Sequence, residues 1–94
     1  MYATVRRYEG ITDPAEAGRR VHEEFVPLLK EIPGLVAYHW LDAGGGVMAS
    51  MSVYEDRASA EASTEKASAW VAENAAELFP NPPEVTSGEV VAHG

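Results

Sequence analysis

The chain has 94 residues, no cysteine, and 7 Lys and Arg against 15 Asp and Glu, for a formal charge of -8. That length gives a single domain, residues 1–94, and the missing thiols exclude a disulfide framework, a thiolate metal site and a thiol nucleophile. The negative balance argues against a nucleic-acid backbone or an anionic membrane surface as partner.

With 46% hydrophobic residues the composition is that of a globular protein rather than a disordered one. No apolar stretch approaches the roughly 18 residues of a membrane span. Near the N-terminus, Arg6 and Arg7 are followed by Tyr8, Glu9 and Gly10, which is not the pattern of a signal peptide. A soluble, cytoplasmic protein is the expectation.

Residues 2–9 are rich in β-branched and aromatic types and predict a strand ended by Gly10. Alternation puts Tyr2, Thr4, Arg6 and Tyr8 on one face and Ala3, Val5 and Arg7 on the other. Asp13, Pro14 and Glu16 then form a helix start, with Asp13 as cap, Pro14 at the first helical position and Glu16 able to reach back in a capping box. The helix runs to about Glu31, with Val21, Phe25, Leu28, Leu29 and Ile32 on one face. Pro27 removes a backbone hydrogen bond and should kink this helix or split off its last turn.

Pro33-Gly34 is a break. Residues 35–42 form a nearly continuous apolar and aromatic run, the pattern of a strand covered on both faces. Ala43-Gly44-Gly45-Gly46 predicts a hairpin turn, and residues 47–54 the returning strand. Asp56 can cap a second helix from Arg57 to Leu78. Its inner stripe would be Ala60, Ser63, Ala67, Val71, Asn74 and Leu78, with Trp70 at the margin. This stripe is small and partly polar, so the helix either packs very close to the sheet or leaves a pocket, which Ser63 would line. Pro80-Asn81-Pro82-Pro83 stops the helix, and residues 84–92 predict a last strand.

The order β-α-β-β-α-β gives the ferredoxin-like arrangement, an α+β fold of four antiparallel strands with two helices on one face. The uncovered sheet face must meet something, and the simplest partner is a second copy of the chain.

Pro33-Gly34 opening the second strand, Tyr38 within it, and Val53-Tyr54-Glu55-Asp56 at the junction with the second helix carry a further signal. In these residues and in element order the chain resembles the antibiotic-biosynthesis-monooxygenase-like family of dimeric α+β barrels. The resemblance implies a homodimer with facing sheets and a ligand pocket between sheet and helices in each subunit. It also implies chemistry on small apolar or aromatic compounds, in some members with no cofactor. Tyr54 is its pocket candidate. The haem-degrading branch has an Asn in the first strand, a Trp at the end of the third and a His in the second helix. Here those features are missing, Tyr54 and Ser63 standing in place of the Trp and the His, which argues against haem degradation.

No metal ligand set is expected: His22 lies in His-Glu-Glu-Phe-Val, and the residue four positions on is Val26 rather than a second His. An imidazole suits proton transfer near neutral pH, so His22 is either a general base at a pocket rim or a half-covered boundary residue. His39 points opposite to its neighbours Tyr38 and Trp40. If it faces the helices it is the best internal acid or base in the chain; otherwise it packs at an interface.

Tyr54 and Trp70, with Tyr38 and Trp40, could wall a pocket for an aromatic substrate, a phenol donating to an oxyanion. Cofactor-free oxygenation needs little more, because a deprotonated substrate supplies the electron and the protein holds it and excludes water. Arg6 and Arg7 lie on opposite faces of their strand, so one of them must turn toward a covered face, where Glu89 or a substrate carboxylate would balance it. Arg7 is the candidate for a ligand contact. The alternative for either is a head group snorkelling to water. The non-catalytic alternative for the whole chain is a homodimer that binds a metabolite or another protein.

Overall fold

The computed structural model describes residues 1–94. The first strand, β1 (Tyr2–Tyr8), alternates as its sequence requires: Thr4, Arg6 and Tyr8 are buried, Val5 and Arg7 exposed. Helix α1 (Pro14–Arg20) starts where Asp13 Oδ1 accepts the backbone N–H of Glu16 at 3.2 Å. Only this half of the expected capping box forms. The Glu16 carboxylate instead accepts from Arg19, one turn ahead on the exposed face.

The helix does not break at Pro27. A π-helical turn (Val21–Phe25) comes first, in which the Val26 N–H donates to the Val21 carbonyl, and α2 (Val26–Leu29) follows. Pro27 sits in the first turn of α2, where its missing N–H costs least. Val21, Phe25, Leu29 and Ile32 remain on the buried face.

Strands β2 (Leu35–Gly44) and β3 (Val47–Tyr54) form a hairpin. Its turn residues Gly45 and Gly46 both have positive φ, at 61° and 80°, the backbone that follows the right-handed twist of paired strands. Helix α3 (Arg57–Trp70) is capped by Asp56, whose Oδ1 accepts the Ser59 N–H at 2.8 Å, and it too ends in a π-helical turn (Val71–Ala75). The wide turn shifts the phase of the inner stripe. Ala60, Ser63 and Ala67 point inward as expected, Trp70, expected at the margin, continues their spacing into the core, and past the wide turn Ala75 takes the core position expected for Asn74, which is exposed. Strand β4 (Glu84–Glu89) closes the sheet and is shorter than the expected 84–92.

The sheet order is β2-β3-β1-β4, every neighbour antiparallel. This is the ferredoxin-like α+β arrangement, with the helices on one face. The core lies between that face and the helices, around Tyr8, Phe25, Leu29, Met48, Trp70 and Phe79. The other face is open. It carries Val5, Met51 and His39 in one cross-strand row, with Leu41 beside them, all exposed. Within the single chain β2 is therefore covered on one face only.

Candidate functional site

Antiparallel pairing places Trp40, Ser50, Arg6 and Val85 in one row across all four strands, on the helix side. The next row holds Tyr38, Ser52, Thr4 and Ser87. Two small serines in β3 thus stand between the large rings of β2 and the long side chain of Arg6. That spacing leaves room for the Arg6 guanidinium beneath α3. Arg6 is 4% exposed, and its Nη2 donates to Thr64 Oγ1 at 2.6 Å.

Around this row the interior is aromatic. Tyr8 and Phe79 lie 5.0 Å apart by ring centroid, Phe25 and Trp70 5.4 Å, and Phe25 and Tyr38 5.9 Å. The space these rings enclose with Arg6 and Trp40 is only about 10 Å3, close to the volume needed for one water. It adjoins a cleft of about 260 Å3 between α3, the Pro82-Pro83 connection and β4. Arg6, Tyr8, Ala67, Val71 and Phe79 wall both spaces, and Thr64, Ser68, Ala72, Asn81 and Val85 complete the cleft with the two prolines. The cleft is near the lower end of small-ligand pockets.

Burial raises the Tyr8 phenol pKa, with the Arg6 charge pulling weakly the other way. Burial also pushes the Tyr38 phenol well above its ordinary range, its neighbour Tyr8 adding to the effect and Arg6 and Ser50 opposing it. Both phenols are therefore neutral donors at physiological pH. The indole N–H of Trp70 and that of Trp40 are buried without an acceptor, as is the Tyr54 hydroxyl.

The expected site residues fall in different places. Trp70, Tyr38 and Trp40 wall the aromatic interior. Tyr54 is fully buried but lines neither the interior nor the cleft. Ser63 is fully buried with its hydroxyl donating to the Ala60 carbonyl at 2.8 Å, so it satisfies itself within α3 rather than facing a pocket. Arg7 lies on the open face, exposed and paired with Glu9 at 2.6 Å. The inward arginine is Arg6, and its partner is Thr64 rather than Glu89, which is exposed opposite Tyr2. The alternation of β1 carried this signal, since Arg6 shares a face with Thr4 and Tyr8.

His39 is exposed on the open sheet face, and His22 is exposed on the π-helical turn. Both border a recess of about 400 Å3 along the β2 edge, with Gly18, Val26, Tyr38 and Trp40. Tyr38 and Trp40 are thus the wall between the recess and the aromatic interior.

No family model matches the chain, and no curated protein does. Solved structures do match over nearly all of it. NE2512 from Nitrosomonas europaea, a protein of unknown function, is 25% identical, with a TM-score of 0.79 over 99% of this chain and 91% of its own. The monooxygenase ActVA-Orf6 of Streptomyces coelicolor, solved with the ligand nanaomycin D, is 14% identical, with a TM-score of 0.72 over 98% and 92%. SnoaB, a cofactor-independent oxygenase from Streptomyces nogalater, is 16% identical, with a TM-score of 0.72 over 98% and 94%. The chain thus has the fold of the antibiotic-biosynthesis-monooxygenase-like proteins, as the residues around Pro33-Gly34 and Tyr54-Glu55 led us to expect.

Proposed function

We propose that the protein binds a small aromatic compound in the cleft beneath α3 and oxidises it with dioxygen, without a bound cofactor. The observation that carries this reading is the continuity of the cleft with the aromatic interior through Tyr8, Val71 and Phe79. The likeness of fold to a monooxygenase solved with nanaomycin D and to a cofactor-independent oxygenase adds support.

In this reading the rings of Tyr8 and Phe79 hold the substrate, and the Ser68 hydroxyl in the cleft wall offers a donor to its oxygen. An enol or phenol of the substrate loses its proton to water at the open side of the cleft, since no base lines it. The resulting anion gives an electron to dioxygen, the pair couples to a hydroperoxide, and loss of water leaves a new carbonyl while Tyr8 and Phe79 hold the ring. The protein's part is to bind, orient and exclude solvent.

The recess beside β2 supports a second placement of the same chemistry. There His22 and His39 stand beside Tyr38, so an imidazole could take the proton while the phenol donates to the developing anion. The two placements separate by mutation. With the substrate in the cleft, a His22→Ala, His39→Ala double variant keeps turnover and Ala72→Trp, which fills the cleft from its exposed rim, loses it. With the substrate in the recess, the histidine variant is the inactive one.

A second copy of the chain covering Val5, Leu41 and Met51 completes the reading, as the simplest way to bury an apolar sheet face. Native mass spectrometry tests it directly: a mass of two subunits is expected, and a monomer at micromolar concentration overturns it. The activity is tested with an oxygen electrode and a panel of dihydroxynaphthalenes. Oxygen uptake that depends on protein, and that survives prior treatment with chelator, is expected. Binding of the panel without uptake would make the protein a non-catalytic metabolite binder.

A further inference from the structure

We propose that Arg6 is the anion-recognition residue of the cleft and that the natural ligand is a planar aromatic compound carrying a carboxylate. The inference rests on the cleft being the ligand site and adds the chemical class that occupies it.

An arginine side chain is charged at every accessible pH and presents five N–H donors in a planar fork. Burying such a group without a counter-ion is costly, and buried charges are ordinarily paired. Arg6 is 4% exposed, yet it takes part in none of the ion pairs of the structure. Its one side-chain acceptor is the neutral hydroxyl of Thr64.

No internal group supplies the missing charge. The residues in its cross-strand row are Trp40, Ser50 and Val85, all neutral. Tyr8 and Tyr38 are phenols kept protonated by burial. On α3, Glu61 is committed to Arg57 on the exposed side. The cation of Arg6 therefore has its balancing charge outside the chain, and the cleft is the opening through which a ligand would reach it.

The lining narrows the ligand. The cleft contains no lysine and no second arginine, so one guanidinium matches one negative charge. A carboxylate fits its fork through two parallel hydrogen bonds. A phosphate dianion would be left half-balanced within a protein whose formal charge is already -8. Tyr8, Phe79, Val71 and Pro82 offer flat apolar walls, which select a ring system of one or two rings.

The test compares 2-naphthoate with its neutral isostere 2-naphthamide, titrated into the intact protein and read by calorimetry. The carboxylate is expected to bind at least tenfold more tightly than the amide. In Arg6→Met the carboxylate loses at least tenfold while the amide is unchanged, and the melting temperature of the ligand-free variant holds or rises because an unbalanced buried charge is gone. Equal binding of the two compounds to the unmodified protein would overturn the role of Arg6 and leave the cleft as an aromatic site. Binding of neither would overturn the cleft itself, and the inference with it. The comparison on the unmodified protein decides the matter even if the variant does not fold.

Discussion

Arg6 Nη2 on β1 donates to Thr64 Oγ1 on α3 at 2.6 Å, so one hydrogen bond joins the centre of the sheet to the middle of the helix that covers it. The Thr64 hydroxyl also donates to the Ala60 carbonyl one turn back, at 3.2 Å, which orients its lone pairs toward the guanidinium. Thr64→Val keeps the shape and removes the acceptor. A hydrogen bond from a charged donor that is lost in this way costs about 1–3 kcal/mol. Urea unfolding should show that loss, and Thr64→Ser should recover most of it. A Val variant as stable as the parent would mean that the bond contributes nothing to the fold.

Two glycines make opposite demands. Gly18 lies within α1, and a Cβ there would rest 3.8 Å from Trp40 Cδ1 and Nε1, an ordinary contact. Gly18→Ala should therefore stabilise by about 0.5–1 kcal/mol, the helix-propensity difference. Gly34 has no such room. A Cβ would come within 2.9 Å of Ser59 Cβ and 2.3 Å of its Oγ, while the Gly34 carbonyl is held by the Glu55 N–H at 2.7 Å. Gly34→Ala should destabilise by about 1–3 kcal/mol, the usual cost of overpacking. Thermal unfolding of the two variants side by side would show melting temperatures moving in opposite directions.

The cap of α3 sets a pH dependence. The Ser59 backbone N–H, and then its side chain, hold the Asp56 carboxyl below its ordinary value. The folded protein thus favours the ionised cap. Its stabilisation is complete above the unfolded carboxylate value of about 3.9 and is lost as pH falls through the lowered folded value. Asp56→Asn retains an acceptor without the titration. The difference in melting temperature between parent and variant should shrink as pH is taken from 7 down to 3, and a difference constant with pH would remove the cap from the account.

The expectations for these elements were uneven, for physical reasons. Asp13, Asp56 and the Gly44-Gly45-Gly46 turn act through near neighbours, so local sequence was enough to locate them. The buried face of the first helix, from Val21 to Ile32, was legible because its apolar residues recur at helical spacing. The face of His39 was not legible, because β2 is apolar or aromatic on both sides and either alternation makes a core. Neither π-helical turn leaves a mark in composition. The one in α3 appears only as a change of phase, with Ala75 buried where Asn74 was expected. Of the expected site residues, Tyr38, Trp40 and Trp70 line the aromatic interior, whereas Ser63 bonds within α3 and Arg7 lies on the open face. Small polar residues on a helix can satisfy themselves, as Ser63 does against Ala60. The alternation of β1 sends one arginine inward, and it is Arg6 because Thr4 and Tyr8 share its face and that face meets the helices.

Tyr54 offers a test of what its hydroxyl does. The ring is fully buried, and the hydroxyl has no hydrogen-bond partner. A buried donor left unsatisfied costs about 1–3 kcal/mol. Tyr54→Phe removes it at nearly constant volume and should leave the melting temperature unchanged or raise it. A clear fall would reveal that the hydroxyl is satisfied in solution, for instance by an internal water.

The π-helical turn at Val71–Ala75 holds one residue more than an ordinary helical turn would need to carry the chain from Trp70 to Ala75. In effect α3 is a regular helix with a supernumerary residue. Shortening the chain by one exposed position there, Ala72 or Glu73, would restore α-helical spacing and still deliver Ala75 and Leu78 to the core. Val71 and Ala72 belong to the wall of the cleft. The surplus residue thus shapes the opening over Arg6, and a deletion or insertion at this turn would remodel the cleft while the sheet and its packing stay as they are.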